Sequence, residues 1–235
     1  MSDLDRFFDR SGRIQRPPYR RLARELASFF FYHPRTSSGA DLPDGQGHSV
    51  LVLPAFMSAD FATKPLRRYL ASCNYRPLPW TLGVNIGPTP QILRGLHQRL
   101  SRCAEDAGGK VSLIGISLGG LLARHLAHEH PDKVAQVITM ASPYILPTAA
   151  TIEPLFNLVA PHFSKDIDFL RVSQPLPVPS MSIYTRQDGI VAWESCSEDG
   201  ALAREIDSPH TTIARHPEAL RAVALRLHEG LQAAP

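Results

Sequence analysis

Gly115-Ile116-Ser117-Leu118-Gly119-Gly120 is the stretch from which the rest of this sequence can be read. Before it, Val111-Ser112-Leu113-Ile114 reads as a buried parallel strand; after it, Leu118, Leu121, Leu122 and Leu126 recur at helical spacing. The serine therefore stands on a strand-to-helix turn, the context in which Gly-x-Ser-x-Gly carries chemical meaning. On so sharp a turn a side chain at Gly115 or Gly119 would collide with the neighbouring strand or helix, so both flanks must be small. The turn leaves Ser117 Oγ at the carboxyl edge of a sheet. It also puts the Leu118 N–H at a helix start, where free amides and the helix dipole favour negative charge developing on an oxygen.

At 235 residues, 43% of them hydrophobic, the chain is long enough for one α/β domain with a full core and too short for two. The net charge of +3 is unevenly placed: residues 1–35 hold eight arginines against Asp3, Asp5, Asp9 and Glu25. The remaining body is nearly neutral, which argues against a nucleic-acid-binding face. Cys73, Cys103 and Cys196 cannot all pair and share no metal-type spacing, so free thiols in a reducing compartment are the simplest account. No run of about 18 or more apolar residues occurs, and Asp3, Asp5, Arg6, Asp9 and Arg10 interrupt any apolar signal core. A cytoplasmic protein is the expectation.

Residues 1–40 read as an N-terminal helical extension and linker. Leu4, Phe7 and Phe8 share one helical face; beyond Pro17-Pro18, Leu22, Leu26, Phe29 and Phe30 form a second stripe opposite Arg20, Arg21, Arg24 and Ser28. Two readings compete for that stripe. In the favoured one the helix docks on the domain with its arginines in water; in the other it is a peripheral helix making weak contact with anionic lipid.

The catalytic domain is expected over residues 41–235. Ser49-Val50-Leu51-Val52-Leu53 is a central strand, followed by the loop Pro54-Ala55-Phe56-Met57-Ser58 and a helix. Tyr75 to Trp80 contains two prolines and reads as an edge strand or irregular segment. Gly83 to Pro88 lacks the third glycine of a dinucleotide fingerprint and is a loop, with Asn85 a minor site-shaping candidate. Residues 90–104 form a helix, and Val134 to Met140 another buried strand. His125, His128 and His130 close the helix after the serine. Their spacing is not that of a zinc site, so no metal is expected. Residues 144–179, apolar and punctuated by prolines, read as a lid or pocket wall containing one short helix. Met181 to Tyr184 and Ala203 to Ile206 complete the sheet, and a C-terminal helix follows His216-Pro217.

A serine is a poor nucleophile without a base in reach and an acid to hold that base. In a parallel sheet such groups come from loops at the strands' carboxyl ends. After the last two strands Asp188 and His210 satisfy this, giving the chain order Ser117, Asp188, His210. His216 fits a helix cap better, Asp207 shares a loop with its would-be base, and Asp166 and Asp168 lie in the 144–179 insertion.

On Gly-Ile-Ser-Leu-Gly at 115–119, Asp-Gly-Ile-Val at 188–191 and Ser-Pro-His at 208–210, the chain resembles the α/β-hydrolase superfamily over residues 49–233, and within it the small lipase-like and esterase-like serine hydrolases. The resemblance implies a mostly parallel sheet with helices on both faces, reduced at its N-terminal strands and carrying a short lid. It implies a carboxylic ester hydrolase working through an acyl-enzyme on Ser117, with the Phe56 and Leu118 N–H groups as the oxyanion hole and no cofactor. Where such families often have His-Gly or Pro-Gly after the first central strand, this chain has Pro54-Ala55. Met57 and Trp193 are candidates for a greasy pocket, so a small-molecule or lipid-like ester is the expected substrate. An acyltransferase using the same three residues and a non-catalytic binding protein of the same fold are the alternatives.

Overall fold

The apolar runs become one six-stranded sheet. In this computed structural model, which describes residues 8–9, 11–31, 43–197 and 200–232, the strands are β1 (Ser49–Leu53), β2 (Arg76–Pro79), β3 (Val111–Ile116), β4 (Val134–Met140), β5 (Ser180–Tyr184) and β6 (Ala203–Glu205). Their order is β2-β1-β3-β4-β5-β6, and every neighbouring pair is parallel. β1 and β3 are buried along their whole length, as continuous apolar runs in a parallel sheet should be. β2 takes an edge, where Pro77 and Pro79 need give no ladder bond outward.

Alternation along the strands sorts the core into two layers. Leu51, Leu53 and Leu113 point to one face and pack with helices α3 (Pro90–Ala107) and α4 (Leu118–Glu129). Val50, Val52, Ile114 and Ile116 point to the other, against α2 (Asp60–Ser72) and α7 (Pro217–Gln232). α4 is buried almost throughout. From β1 the chain crosses to β2 on one side, then returns to β3 on the other, so the order reverses between β1 and β3. The crevice outside their carboxyl ends is where a sheet of this kind binds its ligand. Both the Phe56 loop and Ser117 open into it.

Of the pair of helices expected in the first 35 residues, the second is described and the first lies mostly outside the described residues. Among the described residues of this stretch, the helix is α1 (Tyr19–Phe31). Phe8 instead makes a parallel bridge to Thr148, and the Asp9 N–H donates to Thr148 O at 2.7 Å. Leu4 and Phe7, and the side chains of Phe29 and Phe30, lie outside the described residues. Of the stripe residues whose side chains are described, Leu26 is 59% exposed and Leu22 half-buried, and the polar face of α1 carries contacts to the domain, as the site shows. The 144–179 insertion holds two short helices, not one: α5 (Glu153–Val159) and α6 (Phe169–Ser173), the second capped by the Asp168 carboxylate, which accepts the Leu170 and Arg171 N–H groups. Arg124 fastens this insertion to α4 through Val172 O and Gln174 O. No helix among the described residues is long and apolar enough to cross a membrane.

Leu122 of α4 is fully buried between layers and Leu158 of α5 is 72% exposed. Leu122→Ala is expected to lower unfolding free energy by about 2–5 kcal/mol, and Leu158→Ala by no more than about 0.5 kcal/mol, as read by urea denaturation. Equal losses would contradict this layering.

Candidate active site

Ser117 sits at the carboxyl end of β3 with φ 51° and ψ −121°, a setting that costs a residue with a side chain on the order of 1–3 kcal/mol. Three contacts leave the backbone no other course. The Ser117 N–H donates to Met140 O at 2.8 Å. A Cβ on Gly115 would lie 2.3 Å from Gly119 O, and one on Gly119 would lie 2.5 Å from Leu53 O, both backbone atoms that cannot swing aside. Glycine at both positions lets the ends of β1 and β3 and the start of α4 converge.

Asp188 follows β5 and His210 follows β6. The Asp188 turn is closed by its own carboxylate: Oδ1 accepts the Ile190 and Val191 N–H groups, each at 2.8 Å. That leaves Oδ2 for His210 Nδ1 at 2.7 Å, with both side chains almost fully buried. An imidazole facing a carboxylate through Nδ1 carries its proton there and keeps a lone pair on Nε2. Burial alone depresses the His210 pKa, but the charge and hydrogen bond of Asp188, with the Glu25 carboxylate adding, outweigh it and raise the pKa above its ordinary 6.5.

Ser117 and His210 line one cavity of about 310 Å³ together with Phe56 and Met57. They make no direct hydrogen bond, a looseness common in catalytic pairs before substrate arrives. Among the described residues the Phe56 and Leu118 N–H groups donate to nothing else. Asn85, fully buried, holds the Phe56 loop from beneath: its Nδ2 donates to Pro54 O at 2.7 Å, and its main-chain oxygen accepts the Met57 N–H at 2.8 Å. Trp193 is a correction, because it does not reach this cavity. Its ring stacks on Tyr184 at 5.8 Å, with the Arg186 guanidinium over its face, so it covers the outer end of β5. His216, Asp207 and Asp166 are likewise absent from the cavity lining. No three His, Cys, Asp or Glu side chains converge as a metal site among the described residues.

Sequence reasoning missed Glu25. It is 1% exposed, and its carboxylate accepts the Gly189 and His210 N–H groups on Oε1 and the Thr211 N–H and Oγ1–H on Oε2, all at 2.9 Å. One side chain of α1 thus ties the turn bearing Asp188 to the segment bearing His210. Arg21 donates to Arg186 O at 2.8 Å, and Arg24 to Gln187, on the same turn. Gly189 is needed for this fit, since a Cβ there would lie 2.8 Å from the Arg21 carbonyl carbon. The one signal available was a single acid on an otherwise arginine-rich helix.

A family model described as alpha/beta hydrolase fold matches residues 107–171, the stretch that carries the serine turn. Solved structures similar to the chain include a pyrethroid hydrolase from Sphingobium faniae JZ-2 (TM-score 0.53, 16% identity, 77% of this chain and 97% of that one). A methylesterase from Arabidopsis is similar at TM-score 0.53 and 16% identity over 76% of this chain and 98% of its own. Tomato methylketone synthase I, complexed with 2-tridecanone, matches at TM-score 0.52 and 11% identity over 77% and 98%. A biotin biosynthesis bifunctional protein of Teredinibacter turnerae is 43% identical over 47 residues, 20% of this chain; the chain spans about 8% of that relative's length.

Glu25→Ala would remove the acceptor of the buried Gly189 and His210 N–H groups and of the half-buried Thr211 N–H. It is expected to reduce stability by at least about 2 kcal/mol in urea denaturation, with Glu25→Gln intermediate. A Glu25→Ala protein as stable as wild type would show that α1 is held by something else.

Proposed function

We propose that this chain, whose fold is that of the α/β hydrolases, is a serine hydrolase of carboxylic esters. The observation that carries the reading is the Asp188–His210 contact at 2.7 Å beside a serine on a strained strand-to-helix turn, with Ser117 and His210 opening on one apolar cavity.

In this reading His210 Nε2 takes the Ser117 proton as Oγ bonds to the ester carbonyl carbon. The resulting oxyanion is met by the Phe56 and Leu118 N–H groups, already unpartnered and fixed by Asn85 and by the start of α4, so little reorganisation is needed. Nε2 returns the proton to the leaving alkoxide as the ester C–O bond breaks, leaving the acyl group on Ser117. Water then repeats the sequence: its proton passes to Nε2, its oxygen bonds to the carbonyl carbon, and the proton returns to Oγ as the carboxylic acid departs. Asp188 keeps its charge throughout and holds the imidazole in the tautomer that exposes Nε2.

Wild-type protein is expected to take up a fluorophosphonate at Ser117. Ser117→Ala and His210→Ala should each lower kcat on a p-nitrophenyl ester by about three orders of magnitude or more, and Asp188→Asn severely as well. Loss of activity in His216→Ala but not in His210→Ala would move the base assignment.

The raised His210 pKa gives activity and stability opposite pH dependences. Because Nε2 must be unprotonated to accept the serine proton, kcat/KM should fall as pH drops through a pKa above 6.5. The stability contributed by the protonated imidazole against Asp188 is full below the unfolded value of 6.5 and is lost as pH rises through the folded pKa. A kinetic pKa below 6.5, or stability that grows across that window in wild type relative to His210→Ala, would contradict the arrangement.

A further inference from the structure

Two cavities meet at Ser117, and they differ in size and in what they contain. The larger, about 310 Å³, includes His210 and not Leu118; the smaller, about 30 Å³, includes Leu118 and not His210. Ser117, Phe56 and Ile152 line both and form the partition.

The chemistry assigns the two sides. An ester carbonyl bonded to Ser117 Oγ, its oxygen toward the Phe56 and Leu118 N–H groups, has two remaining substituents. The leaving oxygen must face His210 Nε2, because that nitrogen delivers its proton. The alcohol portion therefore lies in the large cavity and the acyl portion in the small one. At about 30 Å³ against about 310 Å³, the small cavity has room for a short acyl chain only. The large cavity is of the size of ordinary ligand pockets and opens past Met57 and Phe61, both exposed at its mouth.

Resting on the esterase reading above, we infer that the substrates are esters of a short acyl group, acetyl or propionyl, with a bulky apolar alcohol, and that Phe8 sets the acyl limit. Phe8 is 4% exposed and lines the small cavity. Its backbone is fixed there by the bridge to Thr148, and its ring meets Phe156 edge-on at 5.6 Å. Phe156 in turn packs on Phe56 at 5.8 Å. The N-terminal segment, reaching in from outside the sheet, thus supplies the end wall of the acyl site.

Octyl acetate and methyl nonanoate test this directly, being isomers that divide the same atoms oppositely across the ester. Wild type is expected to hydrolyse octyl acetate with kcat/KM at least about tenfold higher. Phe8→Ala should raise the ratio of kcat/KM for methyl nonanoate to that for octyl acetate about tenfold, with Phe8→Leu intermediate. Equal rates on the two isomers, or preference for methyl nonanoate, in wild type would overturn the assignment of the cavities; an unchanged ratio in a folded Phe8 variant would overturn the role of Phe8. The wild-type comparison stands even if the variants do not fold. Fluorophosphonate labelling separates the two levels: a labelled enzyme that turns over neither isomer defeats the acyl assignment alone. Absence of label at Ser117 defeats the esterase reading itself.

Discussion

The site depends on a steric constraint: at the end of β3 there is no room for a side chain on either flank of the serine turn. Gly115 and Gly119 bring backbone atoms of β1, β3 and α4 within the space a methyl group would occupy. That closeness drives Ser117 into a positive φ and sets its hydroxyl at the point where the strand order reverses. It also places the first amide of α4 beside the loop that follows β1. The strain at one residue is sustained because the two most deeply buried strands of the sheet surround it.

The second determinant comes from the N-terminal segment. A compact α/β domain can bring loops after β5 and β6 near each other, but their separation must be held to a hydrogen-bond length for Asp188 to orient His210. Glu25 does this from α1, satisfying donors on both loops with one carboxylate. Burying an acid is unfavourable unless its oxygens are fully engaged, and here both are. Phe8, earlier in the same segment, packs into the core on the opposite side of Ser117. Residues outside the central sheet therefore shape the site from two directions.

What could be read from the sequence follows the range of the interactions. The serine turn was legible because its requirements are local: an apolar strand, small flanks, a helical repeat. Asp188 and His210 were legible because strand order limits which loops reach one end of the sheet. Glu25 and Phe8 were not, since their contacts join residues far apart in the chain, 164 and 185 positions for the two Oε1 contacts of Glu25. The amphipathic stripe of α1 gave no hint of the contacts made by Glu25, Arg21 and Arg24, because apolar spacing reports only which apolar face could be buried. Trp193 was misread for a related reason. An aromatic residue near the acid turn could face either the crevice or the outer end of β5, and Tyr184 with Arg186 draws it outward.

The central claim is that Ser117 becomes acylated during turnover. Quenching the enzyme in acid while it hydrolyses p-nitrophenyl acetate and mapping its peptides by mass spectrometry addresses this. The account predicts an acetyl group on the peptide containing Ser117, trapped by the acid quench and absent from Ser117→Ala. Acetyl confined to another residue, or undiminished turnover by Ser117→Ala, would contradict it.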